Sequence, residues 1–107
     1  MASLDRRLEL DARLRRILGS NNVYFEPPAS LKMKYPCIRY SRSRIDTVNA
    51  DNTTYLANRR YDIIAIYQDP DSDLADRILF NNEDLKFSNE RRYVADGFHH
   101  DVFTTTF

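Results

Sequence analysis

Four groups of residues have types and spacings that could do chemistry. The first is acidic: Asp69, Asp71, Asp73 and Asp76 follow one another in the manner of the first ligands of an EF-hand calcium loop. That loop needs Gly at its sixth position and a bidentate Glu at its twelfth. Leu74 and Phe80 stand there instead. A strand stop followed by carboxylates at a helix N-terminus accounts for the same residues, so no metal site is expected. The second group is His99-His100-Asp101. Neighbouring residues of a strand point to opposite faces, so the two imidazoles cannot share one ion. His99 and Asp101 can share a face, yet two ligands do not close a site.

The third candidate is the single cysteine, Cys37, set in an apolar-flanked strand after Pro36. A cysteine nucleophile needs a histidine base, and the chain offers only His99 and His100. The ordinary reading of such a cysteine is a small core residue. No G-x-S-x-G motif is present, and two glycines are too few for a phosphate-cradling loop. The chain is therefore expected to be no enzyme, with no catalytic, cofactor-binding or metal-binding residues. The fourth group is basic: Arg39, Arg42, Arg44, Arg59 and Arg60, with Tyr40 and Tyr61 interleaved. Arginines grip phosphate and tyrosines stack on bases. The same arginines could instead be solvated, or could meet carboxylates of a neighbouring subunit.

The elements that position these residues follow from pattern and punctuation. Ser3 to Leu18 reads as a helix, with Ser3 as cap, Asp5 in the first turn, Arg15 and Arg16 in the last and Gly19 as the stop. Leu10, Leu14, Ile17 and Leu18 form one apolar stripe; Leu4, Leu8 and Ala12 form a second beside it. Arg7 and Asp11 lie between them, so the second stripe is expected to meet another subunit. Val23 to Phe25 is a short strand closed by Pro27-Pro28, and Cys37 to Ser43 is a second one. The polar stretch Arg44 to Thr54 reads as a projecting hairpin loop, mobile when the protein is free. Arg59 to Gln68 is the central strand, because Ile63-Ile64-Ala65-Ile66 is apolar on both faces. Asp71, Ser72 and Asp73 offer caps for a short helix near Leu74 to Phe80. Strands near Lys86 to Val94 and His99 to Phe107 close the chain around Asp96-Gly97, a hairpin signal. The fold class is α+β: a mainly antiparallel sheet of about five strands, a long N-terminal helix and a short second helix, in one domain over residues 1–107.

The 107 residues are 42% hydrophobic and 30% charged, which excludes a disordered chain. No apolar run is long enough to span a bilayer, and Asp5, Arg6 and Arg7 stand where a leader would be apolar. The net charge is zero, against a general polyanion binder. Its distribution is uneven. Residues 1–68 carry twelve Lys or Arg against seven Asp or Glu, and residues 69–107 carry four against nine. A balance of +5 facing one of −5 suits subunits placed head to tail. The expected contact sets Arg39, Arg42, Arg44, Arg59 and Arg60 against Asp69, Asp71, Asp73, Asp76, Glu83 and Asp84 of an adjacent copy.

Specific stretches carry a family likeness. These are Leu4-Asp5-Arg6-Arg7-Leu8, Ile17-Leu18-Gly19, Val23-Tyr24-Phe25-Glu26-Pro27-Pro28 and Met33-Lys34-Tyr35-Pro36-Cys37-Ile38. They continue in Arg60-Tyr61-Asp62, Asp69-Pro70-Asp71-Ser72-Asp73 and His100-Asp101-Val102-Phe103. Over nearly its whole length the chain resembles the small neck and tail-completion proteins of long-tailed bacteriophages, in particular the tail terminators. The resemblance implies an α+β domain that assembles as a hexameric ring at the head-proximal end of the tail tube. There it ends tube growth and joins the tail to the head connector, without catalysis or cofactor. The implied partners are other copies of itself, the tail tube protein and a head-side neck or stopper protein. It implies no membrane and no specific nucleic-acid binding, with DNA passing through the ring, and a place in the virion after assembly in the host cytoplasm. Two alternatives remain open: a head-completion or stopper protein of the same neck, and a nucleic-acid-binding accessory protein.

Overall fold

A computed structural model describes residues 3–50 and 53–107 in backbone; the side chains of residues 3, 4, 46, 48–50 and 53–57 are outside the description. The chain runs α1 (Ser3–Leu18), β1 (Val23–Phe25), β2 (Cys37–Ala50), β3 (Thr53–Tyr67), α2 (Leu74–Leu79), β4 (Phe87–Ala95) and β5 (Phe98–Thr106). The five strands form one sheet in the order β1-β2-β3-β5-β4. Only the β1–β2 pairing is parallel; the other three are antiparallel. The fold is thus α+β, and the Ile-rich strand is central, as its composition requires.

Period-two alternation sorts the sheet into two faces. Ile38, Tyr40, Tyr61, Ile63, Ala65, Tyr67 and Phe103 lie on one face, and both helices pack there. From α1 come Leu10, Leu14, Ile17 and Leu18; from α2 come Leu74 and Ile78. The opposite face has no helix on it among the described residues. Cys37, Ile66 and Val102 are nevertheless buried there, while Ile64 is only half-buried. Aromatic rings lie near them: Tyr35 meets Phe98 at 4.2 Å between centroids, and Tyr93 stacks on His100 at 4.6 Å.

The two helices are tied to each other by hydrogen bonds as well as packing. Gly19 takes φ +82° and its N–H bonds the Arg15 carbonyl, ending α1. Arg77 of α2 then donates to the carbonyls of Ile17 and Leu18, the exposed acceptor end of α1. Asp73 takes the N-cap position of α2, but its side chain makes no capping bond. Its carboxylate pairs with Arg77 at 3.1 Å, one turn on. The Ser72 hydroxyl instead accepts from the Leu74 N–H. After α2, Asn81 orders the connection: its amide donates to Ile78 and Leu85 carbonyls, and its oxygen accepts from Glu83 and Leu85 N–H groups.

One expectation is corrected. Residues 44–50 and 53–54 are strand and not loop: β2 continues to Ala50 and β3 starts at Thr53, in antiparallel register from Arg44↔Arg60 to Ala50↔Thr53. The expected loop's residues 51–52 lie outside the described residues. Polarity misled because the ribbon's described side chains Arg44, Ile45, Thr47 and Asn58 are exposed, and a strand pair wet on both faces does not need the alternation of a half-buried strand. The ribbon runs past the neighbours on both sides. β1 pairs only with Ile38 to Tyr40 of β2, and the β3–β5 ladder begins at Arg60. The molecule is accordingly elongated, 51 × 31 × 23 Å.

Candidate functional site

The five arginines sit on both faces of the sheet. Arg39 pairs in register with Ile64, and Arg44 lies opposite Arg60; these three face away from the helices. Arg42 pairs with Tyr61 and lies on the helix side, as does Arg59, two residues before Tyr61 on β3. A register shift between Arg42 and Arg44 marks a bulge at the base of the ribbon. Like charges directly opposite on a sheet repel, so Arg44 and Arg60 concentrate positive charge there. On the helix side the Arg42 guanidinium carbon lies 5.8 Å from the Tyr61 ring centroid.

The six carboxylates divide as well. Asp69, Asp71, Asp73 and Asp76 gather beyond the C-terminal end of β3 and along α2. Asp69 Oδ1 accepts from the Asp71 N–H, and Asp73 is held by Arg77. Asp71 and Asp76 are exposed. From Arg60 to Tyr67 the strand advances seven residues, about 23 Å at ~3.3 Å each, which sets this acidic end far from Arg42, Arg44, Arg59 and Arg60; Arg39, opposite Ile64, stands nearer to it. Glu83 and Asp84 belong elsewhere. Glu83 is gripped in bidentate fashion by Arg16 of α1, at 2.8–3.0 Å, and its carbonyl accepts from Arg13. That hydrogen bond holds the Glu83 carboxyl below its usual range and raises Arg16. Asp84, at φ +61°, lines a surface cleft with Arg6, Arg60 and Lys86.

The histidine group is divided by the pleat. His99 stacks on Tyr67 with centroids 5.4 Å apart, on the helix side. His100 faces the other way against Tyr93, with Nδ1 3.1 Å from the Phe98 carbonyl oxygen. Asp101 is buried at 3% exposure; it accepts from the Tyr67 hydroxyl at 2.5 Å and lies 3.5 Å from Arg92 Nε. Burial, reinforced by this bond, pushes the Tyr67 hydroxyl up to about 12. Cys37 is fully buried, and burial pushes its thiol up to about 11. His100 shares its face but lies two strands away, since both residues pair with Ile66. Two strand spacings are about 10 Å, too far for a general base in contact with the sulfur. Among the described residues no three His, Cys, Asp or Glu side chains gather as a metal site.

Sequence reasoning missed one polar cluster. The Tyr40 hydroxyl donates to Asp11 Oδ2 at 2.6 Å and accepts from Arg7 at 3.2 Å. Asp11 Oδ1 takes Arg15 Nε at 2.5 Å, and the Arg7 guanidinium lies 4.4 Å from the Phe25 ring. Arg7 and Asp11 thus turn toward the sheet. The i, i+4 spacings of Arg7, Asp11 and Arg15 were a signal for neighbours on one helix face; the tyrosine partner was not. Leu8, of the second stripe, is 50% exposed, and Ala12 is half-buried.

No helix among the described residues is long and apolar enough to cross a membrane. The chain matches no family model, and no curated protein matches it either.

Proposed function

We propose that the protein is a structural component of a long-tailed phage virion: a tail terminator that forms a ring at the head-proximal end of the tail tube. It acts by binding, without catalysis or cofactor. The observation that carries this reading is the separation of charge along β3. The basic ribbon base of Arg42, Arg44, Arg59 and Arg60 and the acidic far end, about 20 Å apart along the strand, are placed to neutralise each other between copies. A ring of heterologous contacts, in which one patch meets a different patch on the next copy, uses such a polarity at every interface. The ribbon adds reach, because it projects beyond the strands that flank it. Glu83 is held by Arg16 and Asp73 by Arg77, so the intersubunit carboxylates are Asp69, Asp71, Asp76 and Asp84.

The test is assembly with a tail tube protein, followed by electron microscopy. A terminator caps growing tubes at one end as a ring and arrests their length. Binding to the head connector with no effect on tube length supports the stopper position instead. Salt-sensitive DNA binding by the isolated protein, falling steeply as salt rises, supports the nucleic-acid reading.

A further inference from the structure

A cleft of about 580 Å³ opens where the end of β5 and the start of β4 fall short of the projecting ribbon. Its size is that of a small-molecule site, roughly 300–1,000 Å³. Register builds one wall. Arg60 pairs with Thr106, and Thr104 with Ser88. All four face away from the helices, because Tyr61, Thr105 and Phe87 alternate with them in the chain and form one row on the helix side. Lys86 enters from just before β4, its carbonyl fixed by the Thr105 hydroxyl at 2.7 Å. Arg6 comes from α1, its guanidinium carbon 4.2 Å from the centre of the Phe107 ring. Phe107 in turn is pinned by its N–H to the Arg59 carbonyl.

Three cations and one carboxylate, Asp84, thus line the same cleft. Among the described residues no ion pair engages Arg60, Lys86 or Asp84, and Arg6 has only Glu9 at 3.7 Å. Asp62, across from Thr104 on β3, does not line the cleft. Arg60 also stands opposite Arg44, a like-charge pair that costs the sheet stability. Like charge gathered at a concave surface focuses a field that attracts anions. Guanidinium and ammonium groups beside the hydroxyls of Ser88, Thr104 and Thr106 supply charged and neutral donors together, the set that holds a phosphate. Asp84 adds what a bare phosphate cannot use, an exposed acceptor for hydroxyl groups on whatever carries the phosphate. The diester backbone of DNA has no free hydroxyl to give it. We propose that the cleft binds a phosphate monoester on a hydroxylated carrier, the chemistry of a sugar phosphate or a nucleotide. This goes beyond the ring reading and does not rest on it.

The test is isothermal titration calorimetry on the full chain at fixed ionic strength, with inorganic phosphate, ribose 5-phosphate and a short thymidine oligonucleotide as probes. Ribose 5-phosphate should bind roughly 5- to 10-fold more tightly than inorganic phosphate, for one further hydrogen bond. Arg60→Gln/Lys86→Gln should weaken it about 10-fold or more, since two charged donors are lost. Lys86→Gln alone, at an exposed position, keeps the comparison should the double variant fold poorly. Arg91→Gln removes a charge from the same face outside the cleft and should change nothing. Asp84→Asn should shrink the advantage of ribose 5-phosphate over inorganic phosphate, and asparagine tolerates the positive φ of that position. No saturable binding of ribose 5-phosphate up to about 10 mM overturns the proposal, as does an equal loss in Arg91→Gln. Oligonucleotide bound more tightly than ribose 5-phosphate overturns the carrier and supports the nucleic-acid reading. An undiminished advantage in Asp84→Asn overturns the part given to Asp84. Arg60 and Asp84 also belong to the charge pattern of the ring, so sedimentation velocity run beside the titrations reports association separately, and its absence counts against the ring alone.

Discussion

At the scale of single residues, burial decides what each reactive group can do. Cys37 is sealed and its thiol pushed up to about 11, so the thiolate that alkylating reagents need is scarce at neutral pH. Native protein at pH 8 should resist iodoacetamide over a time in which denatured protein is fully modified, as mass spectrometry would read. Rapid native modification would mean that the strand opens readily. Tyr67 gives a pH prediction. Its folded pKa, about 12, lies above the ordinary value of 10. The stabilisation is therefore complete below about pH 10 and disappears as pH rises through about 12. Tyr67→Phe should flatten that alkaline loss in denaturant titrations. At neutral pH it should destabilise by about 1–3 kcal/mol, since Asp101 stays buried without its donor. Tyr40→Phe belongs to the same class, because Asp11 and Arg7 lose their shared hydroxyl.

At the scale of elements, the turns and the helix seam hold the arrangement. Asp96 and Gly97 both take positive φ, +53° and +79°, the geometry of a tight hairpin turn between β4 and β5. A Cβ at Gly97 would meet no atom within 4 Å. Gly97→Ala should therefore cost only the backbone strain of a left-handed residue, about 1–2 kcal/mol in equilibrium unfolding. A larger loss would point to a neighbour packed over the turn. Arg77 is a different sort of joint, since one side chain binds Asp73 on its own helix and two carbonyls at the end of α1. Its replacement should loosen both helices at once. At the end of α2, Phe80 is 80% exposed beside half-exposed Leu79, apolar area that the fold leaves in water.

At the scale of the whole molecule, the expectation concerns charge and assembly. Reversing Arg39 and Arg60 to Glu should impair ring formation while leaving the melting temperature near that of the wild type. Reversing Asp69 and Asp71 to Arg in the same chain should restore it. Each exposed pair is weak, ~0.2–1 kcal/mol, so the effect depends on repetition around the ring and should fade at high salt. Unchanged tail length and infectivity in the Arg39 and Arg60 variant would sink the charge-pairing idea. Those measurements would leave the fold untouched, because neither arginine supports the core.

The sequence by itself determined whatever rests on local pattern. The span of α1, the three residues of β1, the place of the Ile-rich strand at the sheet centre and the turn at Asp96-Gly97 all follow from periodicity, caps and stops. Those signals act between residues close in the chain. The opposite faces of His99 and His100 were legible for the same reason, since the pleat repeats every two residues. Only the tertiary structure decided which distant groups meet. Nothing local announces that Tyr40 would close on Asp11, that Glu83 would be taken by Arg16, or that Arg42 and Arg59 would share the helix side with Tyr61 while Arg39 and Arg60 face away. The ribbon was misread because its strands are held by cross-strand hydrogen bonds of the backbone, which polar and apolar residues other than proline make alike. Register, and the bulge that shifts it, is a property of two strands together. No single stretch of chain encodes it.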